Sequence, residues 1–311
     1  MFGFRFPKGS QPPQNKDTPD PAVQLAAKER ADRTLQALTQ GRLPSDVTDR
    51  LDKIRSGSLP WTSDLSISEW AALRPYRLEP LGQVMGSSFY HVGWTGTQNF
   101  GFMPQSHELQ APTQALYQGR RLAISRLTQE AAELGANAVV GVRIEQKGWT
   151  FEERMVEYVS YGTAVRIQGL KTTGAPVLAS VSGQDFVRLL AAGSMPVGVA
   201  LGACYYYLLT DWWDVRQQFS YYNQEMQHFQ QGVSTVRHLV LRRLQEDART
   251  LGGSGVIGAD FSLRVEDVER DTGNNQTVTD HILEVAMLGT VVDMTSARPA
   301  NKVSLTLDLR A

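Results

Sequence analysis

Residues 120–145, RRLAISRLTQEAAELGANAVVGVRIE, and residues 237–262, RHLVLRRLQEDARTLGGSGVIGADFS, are one design written twice. Each opens as an amphipathic helix with apolar residues three and four apart and stops at Leu-Gly. Each then continues as a strand of small apolar residues broken by a glycine. A chain built this way is constrained to fold two copies of one unit.

The rest of the chain falls into register with that pair. Trp61 stands opposite Val177, Trp70 opposite Phe186, and GQVMGSSFY (82–90) opposite GVALGACYY (198–206), all at an offset of 116 residues. The helices match at 117, with Leu122, Leu127 and Leu134 opposite Leu239, Leu244 and Leu251. The closing strands, MVEYVSYGTAV from Met155 and ILEVAMLGTVV from Ile282, match at 127. The extra residues therefore lie in the acidic turn RVEDVERDTGNNQTVTD before the last strand. Each repeat reads as two strands, a long excursion with a helix, and two more strands. Gly135 and Gly252 follow the helices, where a left-handed residue is wanted. Gly141, Gly258, Gly162 and Gly289 sit within strands, where a missing side chain permits a bulge or close packing of a helix, and Gly86 and Gly202 are further structural glycines matched between the repeats.

The sequence divides into a Pro- and Gln-rich lead expected to be disordered (1–20), a helical extension (21–58), a first repeat (59–170), a second repeat (175–295) and a tail (296–311). In the extension Val23, Ala27, Ala31, Leu35 and Leu38 keep helical spacing, and Ser45 is placed to start a second helix. The tail holds VSLTLDL (303–309), which alternates strictly and predicts a half-buried strand seeking an edge, its own or a protein partner's.

The totals exclude several classes. The 311 residues are 41% hydrophobic, enough for two domain cores, and carry a formal charge of −1, which leaves no electrostatic footprint for nucleic acid. One cysteine, Cys204, rules out an internal disulfide framework and fits a reducing cytoplasm. The opening MFGFRFPKGS has no apolar signal region, so no export by that route is expected. Leu189–Leu209 is uncharged over about the length of a membrane span. Its glycines and proline favour a buried strand, turn and strand instead.

The motifs SDLSISEW (63–70), LGQVMGSSFYHVGW (81–94), EAAELGANAVVGVRIE (130–145) and YGTAV (161–165) resemble the YbjQ family of small bacterial proteins, whose domain is labelled heavy-metal-binding. The match is good in the first repeat and looser in the second, where Gly253-Ser254-Gly255 replaces Ala136-Asn137-Ala138. The resemblance implies an α+β fold of two dodecin-like β-α-β-β cores, each with a helix packed on an antiparallel sheet. It also implies homopentameric rings, here of five chains, and brings no assigned catalytic residue. The N-terminal helices, the second copy and the C-terminal strand depart from the family pattern.

Candidate chemistry is sparse. A soft-metal site wants thiolates or clustered imidazoles. The five histidines are scattered without HxH, HxxxH or CxxC, so His91, His107 and Cys204 are weak metal candidates and no cofactor is expected. Glu157 and Glu284 occupy the same place in both closing strands, as inter-subunit ion-pair partners or, by preference, solvent-face residues. The excursion before the second helix is dense in aromatics, with Tyr205, Tyr206, Tyr207, Trp212, Trp213 and Tyr221, and reads as interface or core ahead of a pocket for a planar ligand. Phosphate loops, GxSxG and SxxK are absent. The expectation is a non-enzymatic, cytoplasmic, self-assembling scaffold or binding module. The competing expectation is a metal or ligand binder whose site forms between subunits.

Overall fold

The computed structural model describes residues 21–91, 105–147, 155–168, 174–218, 225–271 and 277–294. The N-terminal lead, Tyr221 and the C-terminal VSLTLDL segment lie outside these residues. The chain forms two compact units, Met1–Asp49 and Arg50–Ala311. The first contains α1 (Pro21–Thr39), which ends at a turn where Gly41 takes a φ of 69°. The division falls within α2 (Ser45–Arg55).

Unit Arg50–Ala311 holds both repeats and is an α+β fold with two sheets. In chain order the first repeat runs α3 (Ile67–Leu73), β1 (Leu78–His91), β2 (His107–Glu108), α4 (Gln110–Glu133), β3 (Ala138–Lys147) and β4 (Met155–Ile167). The second runs β5 (Val177–Leu178), α5 (Gly183–Ala191), β6 (Met195–Leu208), α6 (Trp212–Gln218), α7 (Gln227–Thr250), β7 (Gly255–Asp271) and β8 (Thr277–Asp293). Sheet 1 has the order β1-β4-β3-β5 and sheet 2 the order β2-β6-β8-β7. Each repeat thus lends a two-residue strand to the other's sheet. β5 joins β3 in parallel, with Ala138 opposite Val177, and β2 joins β6 antiparallel, with His107 opposite Tyr207.

Three expectations are corrected. The leading strands of the repeats are largely helices. Ser66 accepts from the Glu69 amide while Glu69 reaches back to the Ser66 amide, a capping box that starts α3, and Ser182 starts α5 by accepting from the Asp185 amide. Leu189–Leu209 is consequently the last turn of α5 followed by β6, not two strands. The acidic stretch before the last strand is mostly strand, because β7 and β8 each extend to 17 residues. Arg270 there pairs with the buried carboxylate of Asp280 at 2.5 Å, and the Thr210 amide donates to the same group at 2.8 Å.

The glycines explain how helix and sheet meet. A Cβ on Gly86 would lie 2.0 Å from the Ala123 carbonyl oxygen, and one on Gly202 2.2 Å from that of Val240. Each helix backbone therefore rests directly on a strand, at matching places in the two repeats. Gly141 and Gly258, with φ of 66° and 57°, carry the bulges where β3 and β7 shift register against β4 and β8. Gly162 and Gly289 receive Val139 and Val256, and Gly135 and Gly252 end α4 and α7 at positive φ.

Candidate functional site at the joint between the repeats

The same polar contacts recur in both repeats and fix each helix on its sheet. Glu130 of α4 accepts from the Met85 amide at 2.9 Å, and Asp247 of α7 accepts from the Leu201 amide at 2.9 Å. Arg126 donates to the Ser87 carbonyl, as Arg243 does to Ala203. Burial pushes the Glu130 carboxyl up, against the Met85 amide and Arg50, which holds it at 2.7 Å. These pairs were missed in the sequence, although the aligned acids EAAELG and EDARTLG carried the signal.

The site of interest is where one repeat meets the other. β6 is buried on both faces. Cys204, Leu208 and partly Tyr206 pack under α7, while Ala203, Tyr205 and Tyr207 face α4 together with Leu116, Tyr158 and Ile282. The tyrosine triplet therefore lies within a strand, not in the excursion, and alternation divides it between two helices. The edge of β6 is closed by α4: the Tyr205 amide donates to the Thr113 hydroxyl at 2.9 Å and the Ala203 amide to the Tyr117 hydroxyl at 2.8 Å. Burial drives the Tyr205 phenol well above its ordinary range, so it stays protonated.

At the centre is an ion pair that crosses the boundary. Arg120 of α4 lies 3.6 Å from Glu284 of β8, both side chains are more than nine-tenths buried, and Gln146 of β3 donates to Glu284 at 3.0 Å. The solvent-face reading of Glu284 is thus corrected: β8 is a central strand covered on both faces. Its counterpart Glu157 is half-buried on sheet 1. Two further pairs cross the same boundary, Glu108 with Arg243 at 2.8 Å and, more exposed, Arg121 with Asp247 at 3.5 Å. On the far side of the joint, β5 donates from Val177 and Ala179 to the carbonyls of Asn137 and Val139, and Phe186 of α5 is fully buried against Leu73 and Val140.

The candidate ligands do not come together. His91 ends β1 at the surface, and His107 in β2 hydrogen-bonds the Gln105 carbonyl at 2.9 Å. Cys204 is fully buried, and burial pushes its thiol up to about 12, so no thiolate is available near neutrality. Among the described residues one group of three donors converges, Asp211, Asp214 and His228. It is a helix cap: the amides of Asp214 and Asp211 donate to each other's carboxylates at 2.8 and 3.0 Å, and His228 meets the second at 2.7 Å. The converging oxygens are occupied and hard, so this donor set does not fit a soft heavy metal. Trp212 and Trp213 stack 3.8 Å apart at the surface of α6 and, among the described residues, are not joined by a convergent polar set.

Among the described residues no helix is long and apolar enough to cross a membrane. No solved structure matches the chain. The family described as "Putative heavy-metal-binding", YbjQ, matches residues 100–168. The chain is 32% identical over 246 residues to "Encapsulin nanocompartment protein Rv1762c" of Mycobacterium tuberculosis, covering 73% of this chain and 92% of the relative. That name is one of a compartment protein and not of an enzyme, in line with the non-enzymatic reading. A UPF0145 protein of Pseudothermotoga lettingae is 32% identical over 93 residues, 29% of this chain and 85% of its own length. One of Mycobacteroides abscessus is 45% identical over 64 residues, 21% of this chain and 58% of its own. By these matches and by its two helix-on-sheet repeats, the chain belongs to the YbjQ, or UPF0145, family.

Proposed function

We propose that the protein is a cytoplasmic, non-enzymatic scaffold that assembles with copies of itself, five chains to a ring, with the tandem repeats as its building units. The observation that carries this reading is the long edge of the second repeat that no strand pairs with among the described residues. β7 runs 17 residues at the rim of sheet 2, with Phe261, Leu263 and Val265 exposed, whereas its counterpart β3 is met at its first residues, Ala138 and Val139, by β5. An unpaired strand edge is a pairing template, and the apolar residues exposed beside it favour covering it with a partner. The nanocompartment name of the Mycobacterium tuberculosis relative supports assembly as the purpose of such a surface.

Size-exclusion chromatography with light scattering tests the reading. The expected particle is a multiple of the 34.5 kDa chain that keeps its mass after chelator treatment. A single-chain particle overturns the scaffold. Loss of mass with release of a metal favours instead a site formed between subunits.

A further inference from the structure

We propose that the joint inside the chain is the template for the joint between chains. The outer face of sheet 1 and the Trp61–Leu65 segment of one copy seat on α7 and on the β7 edge of another. This deepens the self-assembly reading and rests on it.

The main surfaces that the internal joint buries have exposed counterparts among the described residues at the two ends. Sheet 2 presents Leu201, Tyr205 and Ile282 to the joint, each 3% exposed or less. Their counterparts on sheet 1 are Met85, Phe89 and Met155, exposed by 47%, 67% and 53%. That is an apolar face with no cover among the described residues. At the other end, the outer surface of α4 is matched on α7 by an open groove of about 930 Å³ lined by Gln230, Ser234, His238 and Leu241. Gln230 and Ser234 stand where Thr113 and Tyr117 accept from the β6 edge. They carry side-chain oxygens of a different kind, an amide in Gln230 and a shorter hydroxyl in Ser234, as acceptors for the amides of Phe89 and Ser87 on the β1 edge.

The charges repeat as well. Arg120 and Glu284 map onto Arg237 and Glu157, and Glu108 and Arg243 map onto Glu225 and Arg126. In both cases the sign at each end is kept. Arg237 is exposed and lies over the Phe261 ring at 5.4 Å, with no carboxylate against it among the described residues. Arg126 already reaches the Ser87 carbonyl as Arg243 reaches Ala203, which aims it for Glu225.

The leading segment completes the match. Val177 and Ala179 add to the β3 edge, and in the proposed contact their counterparts Trp61 and Ser63 add to the edge of another copy at Ser254 and Val256, which no strand pairs with among the described residues. Buried Phe186 becomes Trp70, which is 38% exposed. One replacement looks unfavourable, Gly183 by Ile67. A Cβ at Gly183 lies 3.3 Å from the end of Leu65, 3.5 Å from the Cβ of Glu69 and 3.6 Å from Leu73, and the residues facing Ile67 would be Val181, Asp185 and Leu189, of which Val181 is shorter at the point of contact. Two different surfaces at opposite ends make the contact heterologous, so a second copy of this chain is the occupant that fits both, and the contact closes into a ring when its rotation allows.

Charge reversal tests the pairing, read by light scattering. Glu157→Arg and Arg237→Glu are each expected to weaken self-association by about 100-fold or more, since like charges then face each other across the contact. The double variant is expected to regain the wild-type mass, which also shows that both substitutions fold. Single variants that assemble like wild type overturn this joint and leave the scaffold reading standing. Single variants that dissociate with a double variant that does not recover overturn the Arg237–Glu157 pairing. A wild type that is a single chain overturns the scaffold reading and this joint together.

Discussion

Replacing Arg120 with alanine is expected to destabilise the fold by about 3–5 kcal/mol, because it strands the carboxylate of Glu284 in a buried site. Gln146 can donate one hydrogen bond to that carboxylate but cannot balance its charge. The cost is specific to leaving one partner behind. Arg120→Met combined with Glu284→Met, which removes both charges and keeps apolar bulk, is expected to fall within about 1 kcal/mol of wild type or above it. Urea unfolding followed by tryptophan fluorescence reads both. A single variant that loses less than about 1 kcal/mol would mean that water reaches the pair, and that the repeats do not close over it as described.

The second large effect is expected at the helix–strand crossings. Gly86→Ala and Gly202→Ala each place a methyl group about 2 Å from a helix carbonyl oxygen, at 2.0 and 2.2 Å, where backbone rather than a flexible side chain must give way. Each is expected to cost about 3 kcal/mol or more, at or above the upper end of ordinary overpacking. Gly255→Ala is the control: its Cβ meets only Val292 at 3.8 Å, and a change within about 0.5 kcal/mol is expected. Thermal melts of the three variants decide it. A Gly202→Ala protein as stable as the control would contradict the direct seating of α7 on β6.

These two sites differ in how legible they were. The paired glycines stood out because close approach tolerates no side chain, so both repeats show the same residue at the same place. Glu284 was misread because a lone carboxylate in ILEVAM looks like the solvent side of a strand. What buries it is α4 of the other repeat, more than a hundred residues away in sequence. The capping serines Ser66 and Ser182 were in plain view, yet the apolar runs beside them suggested strands. The exchanged strands β5 and β2 are two residues long and carry no periodicity at all. Fold class was therefore readable from repetition, whereas the joint depended on pairings that only the three-dimensional arrangement brings together. Asp211, Asp214 and His228 were invisible as a group for the same reason, and once assembled they prove to be a helix cap.

In the proposed assembly the edge of the second repeat that is unpaired among the described residues is filled by the first repeat of another copy. Disulfide trapping tests it most directly. Leu178 and Val139 are in register across the internal joint, and their counterparts are Thr62 and Val256. Strand neighbours in register are close enough for a disulfide, and the buried thiol of Cys204 stays out of the reaction. Thr62→Cys chains mixed with Val256→Cys chains under mild oxidation are expected to give a product of twice the chain mass that neither variant gives alone. A mixture that stays uncrosslinked while the wild-type protein remains assembled would contradict the claim.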